Sequence, residues 1–137
     1  MRKAIITISA LLMTLSFSMA KESKEDRYKK KFLYTEVMKV TATAYSSSTE
    51  ETDKNPFLAA WGNRLDPNVP SIAVSRDLFD CGLTNGKKVH IDGFKGEFIV
   101  LDVMHKRWKN KIDIYMGTDR KKALKFGKRK VTIRWKP

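Results

Sequence analysis

A single cysteine, Cys81, stands in a chain of 137 residues. No disulfide can close within the chain, so stability has to come from an apolar core, and a lone thiol of this kind is expected to be buried in it. Long apolar runs are missing too. The best stretch, residues 4–15, is broken by Thr7, Ser9 and Thr14 and falls short of the roughly 20 residues a membrane-spanning helix needs. Histidine is scarce: His90 sits between Val89 and Ile91 and is expected to face outward, and His105 has no ligand set around it. Zinc sites gather three or four ligands, so neither a metal nor a cofactor is expected. Acid is nearly absent from the last quarter, where residues 106–137 hold 13 Lys or Arg against Asp113 and Asp119 alone. Residues 21–105 hold 13 of each sign, so the whole excess beyond residue 20 lies in that last quarter.

What is present begins with Arg2 and Lys3, the apolar stretch and the small-residue tripeptide Ser18-Met19-Ala20. This is the pattern of a secretory signal peptide cleaved after Ala20, which places the mature protein in the periplasm or cell envelope. No transmembrane span is expected after cleavage. Residues 21–36 are strongly charged and read as a flexible leader. Residues 37–137 are the length of one domain, and a monomer is expected. Loss of Arg2 and Lys3 takes the net charge from +13 to +11. A one-sided excess of this size favours an anionic polymer as partner. In the envelope the candidates are peptidoglycan carboxylates and lipid phosphates; nucleic acid is the cytosolic counterpart and is set aside.

From Val37 the texture becomes that of strands. Met38, Val40, Ala42 and Ala44 alternate with Lys39, Thr41 and Thr43, the period of a half-buried strand. Residues 46–55 are a polar loop closed by Pro56, and residues 59–67 are turn-rich. Short strands follow at 71–74, at 89–91 after the Asn85-Gly86 turn, and at 97–101 after Asp92-Gly93. The apolar run of that last strand predicts cover on both faces. Ile112, Ile114 and Met116 alternate with Asp113 and Tyr115, and Val131, Ile133 and Trp135 point one way in a final strand. Residues 119–126 predict one short helix, with Thr118 or Asp119 as its N-cap and Gly127 as its stop. Six strands, one short helix and no repeats give an all-β chain closed into a barrel.

Two carboxylates carry the chemistry. Asp102 directly follows four apolar residues, and partial burial favours the protonated carboxyl that a general acid needs. The plain alternative is a strand-ending turn residue. Asp113 lies inside a strand, where aspartate is disfavoured, with Lys111 as its simplest partner. Delivered by consecutive strands, the two can face one cleft. Trp61 and Trp108, in turn-rich and charged surroundings, are candidates to stack on sugar rings, with ordinary packing as the alternative. Tyr45, Tyr115, Lys106 and Arg107 complete the candidate binding set.

The segments Thr41-Ala42-Thr43-Ala44-Tyr45, Ile72-Ala73-Val74, Asp102, Asn110-Lys111-Ile112-Asp113-Ile114-Tyr115 and Ala123-Leu124-Lys125-Phe126-Gly127-Lys128-Arg129 occur in an order that resembles the 3D domain. That family is named for three aspartates and is similar to the C-terminal part of membrane-bound lytic transglycosylase A. The resemblance spans roughly residues 38–135. It implies a six-stranded double-psi β-barrel with one short helix, and cleavage of peptidoglycan strands between N-acetylmuramic acid and N-acetylglucosamine. It further implies that Asp102 is the single acid/base and Asp113 its supporting carboxylate. Two departures stand out. Ser75 holds the place of the family's first aspartate, with Asp77 the nearest carboxylate, and bulky, basic residues 103–109 replace a glycine-rich stretch. A non-catalytic wall-binding module is therefore the second reading, and a binder of anionic lipid or nucleic acid driven by charge alone the third.

Overall fold

The computed structural model describes residues 36–48 and 55–137; the expected signal peptide (1–20) and leader (21–36) lie outside the described residues, except that Glu36 opens the first strand. The described residues form six strands: β1 (Glu36–Tyr45), β2 (Ser71–Val74), β3 (Lys88–Ile91), β4 (Phe98–Val103), β5 (Lys111–Tyr115) and β6 (Arg129–Trp135). The α-helix α1 (Arg120–Phe126) precedes β6, and its N-cap is Asp119, whose carboxylate accepts the Lys122 N–H. Gly127 ends it with a positive φ, as expected.

The strands close into a barrel in the order β1-β5-β2-β4-β3-β6, with β6 returning to β1. Two pairs are parallel, β1 with β5 and β2 with β4, and the others are antiparallel. This set of pairs is unchanged when β1, β2 and β3 are exchanged for β4, β5 and β6, the internal symmetry of a double-psi barrel. The symmetry axis passes through the β2/β5 pair, where Ala73 lies opposite Asp113.

Every strand sends one face inward. Val40, Ala42, Ile72, Val74, Val89, Ile91, Val100, Ile112, Ile114 and Ile133 form the core, with Phe98 and Trp135 at its edges. The indole of Trp135 is buried, and its Nε1–H donates to the Cys81 carbonyl. Cys81 itself is exposed, contrary to expectation. It ends a 3₁₀ helix, Arg76–Cys81, that local sequence did not signal; the backbone there turns its carbonyl inward, which leaves the thiol outside.

β4 departs from its sequence reading in a way that matters for the site. Phe98 and Val100 are buried, but Ile99 and Leu101 are only half-buried, so the strand is not sealed on both faces. Nor does it end at Asp102; it continues to Val103. Ile72 pairs with Val100, and the next residue, Ala73, pairs with Asp102, so Leu101 is an extra residue bulged out of the ladder. Side chains alternate at every step, so without the bulge Asp102 would follow Val100 into the core. The bulge re-aims it outward.

Candidate functional site

Directly paired residues share a face of a sheet. Asp102 pairs with Ala73, Ala73 with Asp113, and Asp113 with Thr43. The four therefore form one row across β4, β2, β5 and β1, on the outer face of the barrel. Asp102 and Asp113 point the same way, separated by two strand spacings, about 9 to 10 Å between backbones. The residue between them is alanine, and its small methyl group leaves room for the Tyr45 side chain that crosses toward Asp102.

Asp102 is firmly held. Its Oδ1 accepts the N–H of Ala60 at 3.0 Å and of Val103 at 2.8 Å, while Oδ2 accepts the Tyr45 hydroxyl at 3.3 Å. Two backbone donors thus sit on one oxygen, and the phenol alone on the other. Tyr45 spans β5 and β2 to reach it, and the short Ala73 side chain leaves it room. Burial, then the charges of Asp102 and Asp113, push the Tyr45 phenol well above its ordinary pKa. It stays a neutral donor at any working pH. Behind it, the ring of Tyr115 lies 5.4 Å away, buried, with its hydroxyl 2.7 Å from Ser47 Oγ. Asp113 accepts the Thr43 hydroxyl at 2.9 Å.

The Ala60 donor comes from a turn, Ala60–Gly62, whose central residue Trp61 has the left-handed φ of 58°. Such a backbone is costly for a bulky residue and persists only where its surroundings fix it. Here Asn63 does so. Its amide donates to the carbonyl of Leu101, the residue the bulge takes out of the ladder, at 2.9 Å, and to Asn85 Oδ1 at 2.8 Å. The bulge and the turn thus satisfy one another. Trp61 is 45% exposed, with its ring 5.8 Å from Phe79. A depression of about 430 Å³ lined by Phe57, Arg64, Leu65, Asp66 and Pro67 lies farther along this loop and contains neither carboxylate.

In the loop before β5, Trp108 lies under two cations. Lys111 Nζ is 3.6 Å from its ring centroid and the Arg107 guanidinium carbon 4.8 Å. Ser75 and Asp77 anchor the start of β5: Ser75 Oγ accepts the Lys111 N–H and Asp77 accepts the Asn110 N–H, where φ is 49°. Burial would raise the Asp77 carboxyl, but Ser75, the Asn110 N–H and the Lys109 charge outweigh it and hold Asp77 below the usual carboxylate range.

No family model matches the sequence, and no curated protein does. Among solved structures the chain is similar to the apo expansin of Clavibacter michiganensis, at 18% identity over 72% of this chain and 49% of that one, with a TM-score of 0.46. It is also similar to a mutant of the same expansin in complex with cellohexaose, at 17% identity over the same shares and a TM-score of 0.42. The chain spans about half the length of these proteins. The barrel is established by its own strand pairing.

Of the residues singled out in the sequence, Asp102, Asp113 and Tyr45 come together, and Trp61 borders them through its turn. Tyr115 is 6% exposed and stands behind Tyr45 rather than at the surface. Arg107 and Trp108 contact each other beyond Lys111, while Lys106 is exposed in the same loop. Four contributors had no strong sequence signal. Thr43 shares the outward register of Tyr45, which could have revealed it, whereas Ala73, Ala60 and Asn63 act through size, a backbone N–H and an amide that nothing local marks.

Proposed function

We propose that this protein cleaves peptidoglycan glycan strands in the bacterial envelope, in the manner of a lytic transglycosylase, with Asp102 as the acid and base. The observation that carries the reading is the single outward row of Asp102, Ala73 and Asp113, with the phenol of Tyr45 on Asp102 Oδ2. A protonated Oδ2 gives its proton to the glycosidic oxygen as the bond from C1 of N-acetylmuramic acid breaks. The resulting carboxylate then takes the proton of the C6 hydroxyl as O6 closes on C1, leaving an anhydro ring and a restored acid. Asp113, held by Thr43, supplies negative charge near the developing oxocarbenium ion. Ordinary hydrolysis would employ the second carboxylate on a water instead. Trp61, beside Asp102 and exposed, offers a ring for a sugar face, whereas Trp108 already has cations over its ring.

The test is incubation of the mature chain with purified sacculi and mass spectrometry of the soluble products. Anhydro-muropeptides are expected from the native protein and not from a folded Asp102→Asn variant. Absence of product from several sacculus types, or undiminished cleavage by the variant, overturns the proposal. One observation favours the second reading, a wall-binding module without catalysis: Ser75 and Asp77 are both committed to fixing the start of β5, so no third aspartate joins the row. Retention on sacculi with no soluble product selects it.

A further inference from the structure

One side-chain repeat along the strands from the carboxylate row, about 7 Å away, the same outer face carries a second row of opposite charge. Thr41 pairs with Lys111 on β5 and with Lys130 on β6. The Lys130 ammonium donates to Thr41 Oγ1 at 2.8 Å, while Lys111 is steadied by the face of Trp108. Lys39, two residues before Thr41 on β1, is exposed in the same register. The nearest acids along these elements are Asp113, two positions along β5 and hydrogen-bonded to Thr43, and Asp77, which accepts from Asn110. The two rows run side by side, so a polymer lying along the first has its lateral substituents over the second.

The geometry points to an anion subsite formed by Lys111, Thr41 and Lys130 that holds a free carboxylate of the peptide borne by the glycan strand. The inference rests on the carboxylate row being the glycan track. Each N-acetylmuramic acid carries its peptide sideways through the lactyl ether, which directs peptide carboxylates to this second row. Thr41, having accepted from Lys130, retains its own proton to donate. Two ammonium groups and a hydroxyl thus present donors to one small anion, and the Trp108 contact restricts Lys111 before the ligand arrives. This places the grip on peptide carboxylates on residues of strands, which are held more firmly than the loop cations Lys106 and Arg107 of the candidate binding set.

Binding is measured by co-sedimentation in the Asp102→Asn background, so that no strand is cut. Three ligands serve: sacculi with free peptide carboxyls, the same sacculi with those carboxyls amidated, and sacculi stripped of phosphate polymers. The pair Lys111→Gln with Lys130→Gln is expected to weaken binding about tenfold on free-carboxyl and on phosphate-stripped sacculi, and to have no effect on amidated ones. Lys121→Gln with Lys125→Gln on α1 removes the same charge from an exposed site elsewhere and is expected to change binding less than about twofold. Arginine at positions 111 and 130 restores binding. Equal losses from both pairs, or a loss at the strip that persists on amidated sacculi, overturn the inference; a loss that vanishes when phosphate polymers are removed overturns it in favour of a phosphate ligand. If native protein yields no anhydro products, the cleavage reading fails, while this binding result is scored independently.

Discussion

The two ends of the outer row occupy equivalent places in the two halves of the barrel, yet they are chemically unlike. Exchanging the halves carries the Thr43/Asp113 pair onto the Asp102/Ala73 pair. In the first, a hydroxyl on one strand satisfies the carboxylate on the next. In the second, the neighbour is a methyl group, and Asp102 takes its donors from a loop amide, its own following amide and a phenol from three strands away. Only that second half is bulged. The symmetry thus matches Asp102 with Thr43 and Asp113 with Ala73, and breaking it leaves one carboxylate satisfied by a neighbouring hydroxyl and the other held by two backbone amides on one oxygen and a phenol on the other.

The largest test of this contrast is the pair Asp102→Asn and Asp113→Asn, assayed as release of anhydro-muropeptides. Loss of the acid is expected to cost at least about 100-fold, and loss of the supporting charge roughly a tenth of that effect. Equal losses would mean that the two carboxylates share one role. Next, Ala73→Leu pushes against the Tyr45 side chain that crosses between them, at a residue only 4% exposed. Overpacking of this kind costs about 1 to 3 kcal/mol, to be read as a lowered Tm, together with loss of sacculus cleavage. Cleavage retained by a folded Ala73→Leu protein would show that the seat of Tyr45 over Ala73 is not needed for the reaction.

Tyr45→Phe removes the donor on Asp102 Oδ2 and is expected to destabilise by about 1 kcal/mol at neutral pH. It also has a pH signature. Because the folded-state phenol is raised, the folded protein keeps that proton above about pH 10, where an unfolded tyrosine loses it. The contribution is complete below about pH 10 and drains away as the pH rises further. The alkaline limb of a denaturation series should therefore be shallower in Tyr45→Phe; parallel limbs would contradict the burial and charge described here. The smallest effect is expected of Thr43→Val, about 0.5 to 1 kcal/mol, with cleavage reduced less than in Asp113→Asn. A Thr43→Val protein as impaired as Asp113→Asn would mean that the hydroxyl, rather than the charge, is what this half contributes.

Most of the frame was legible in the sequence because it depends on local periodicity. The alternation from Met38 to Ala44 and from Val131 to Trp135 located β1 and β6, and Asp119 with Gly127 bounded α1. The outward register of Asp113 also follows from Ile112 and Ile114. Asp102 was found for an incomplete reason. The run before it reads as a buried strand that stops, whereas the side chain is placed by a bulge at Leu101, and a bulge is a property of two paired strands. The Ala60 donor escapes notice because every residue has an N–H, and its aim depends on the left-handed Trp61 beside it. Cys81 was misplaced because frequency of burial says nothing about which way a helix end turns.

The strand order also governs how the chain can fold. β1 pairs only with β5 and β6, and among the six strands β3 and β4 alone are both paired and consecutive. Nearly every closure must therefore bridge a long stretch of chain before any contact rewards it, the regime of slow folders, on the order of milliseconds to seconds. β1 has to wait for β5 before it gains any neighbour, and a nascent chain that stops short of Arg129 has no second partner to offer it. The barrel is sealed by the pairing of β1 with β6, the two described strands farthest apart in the chain.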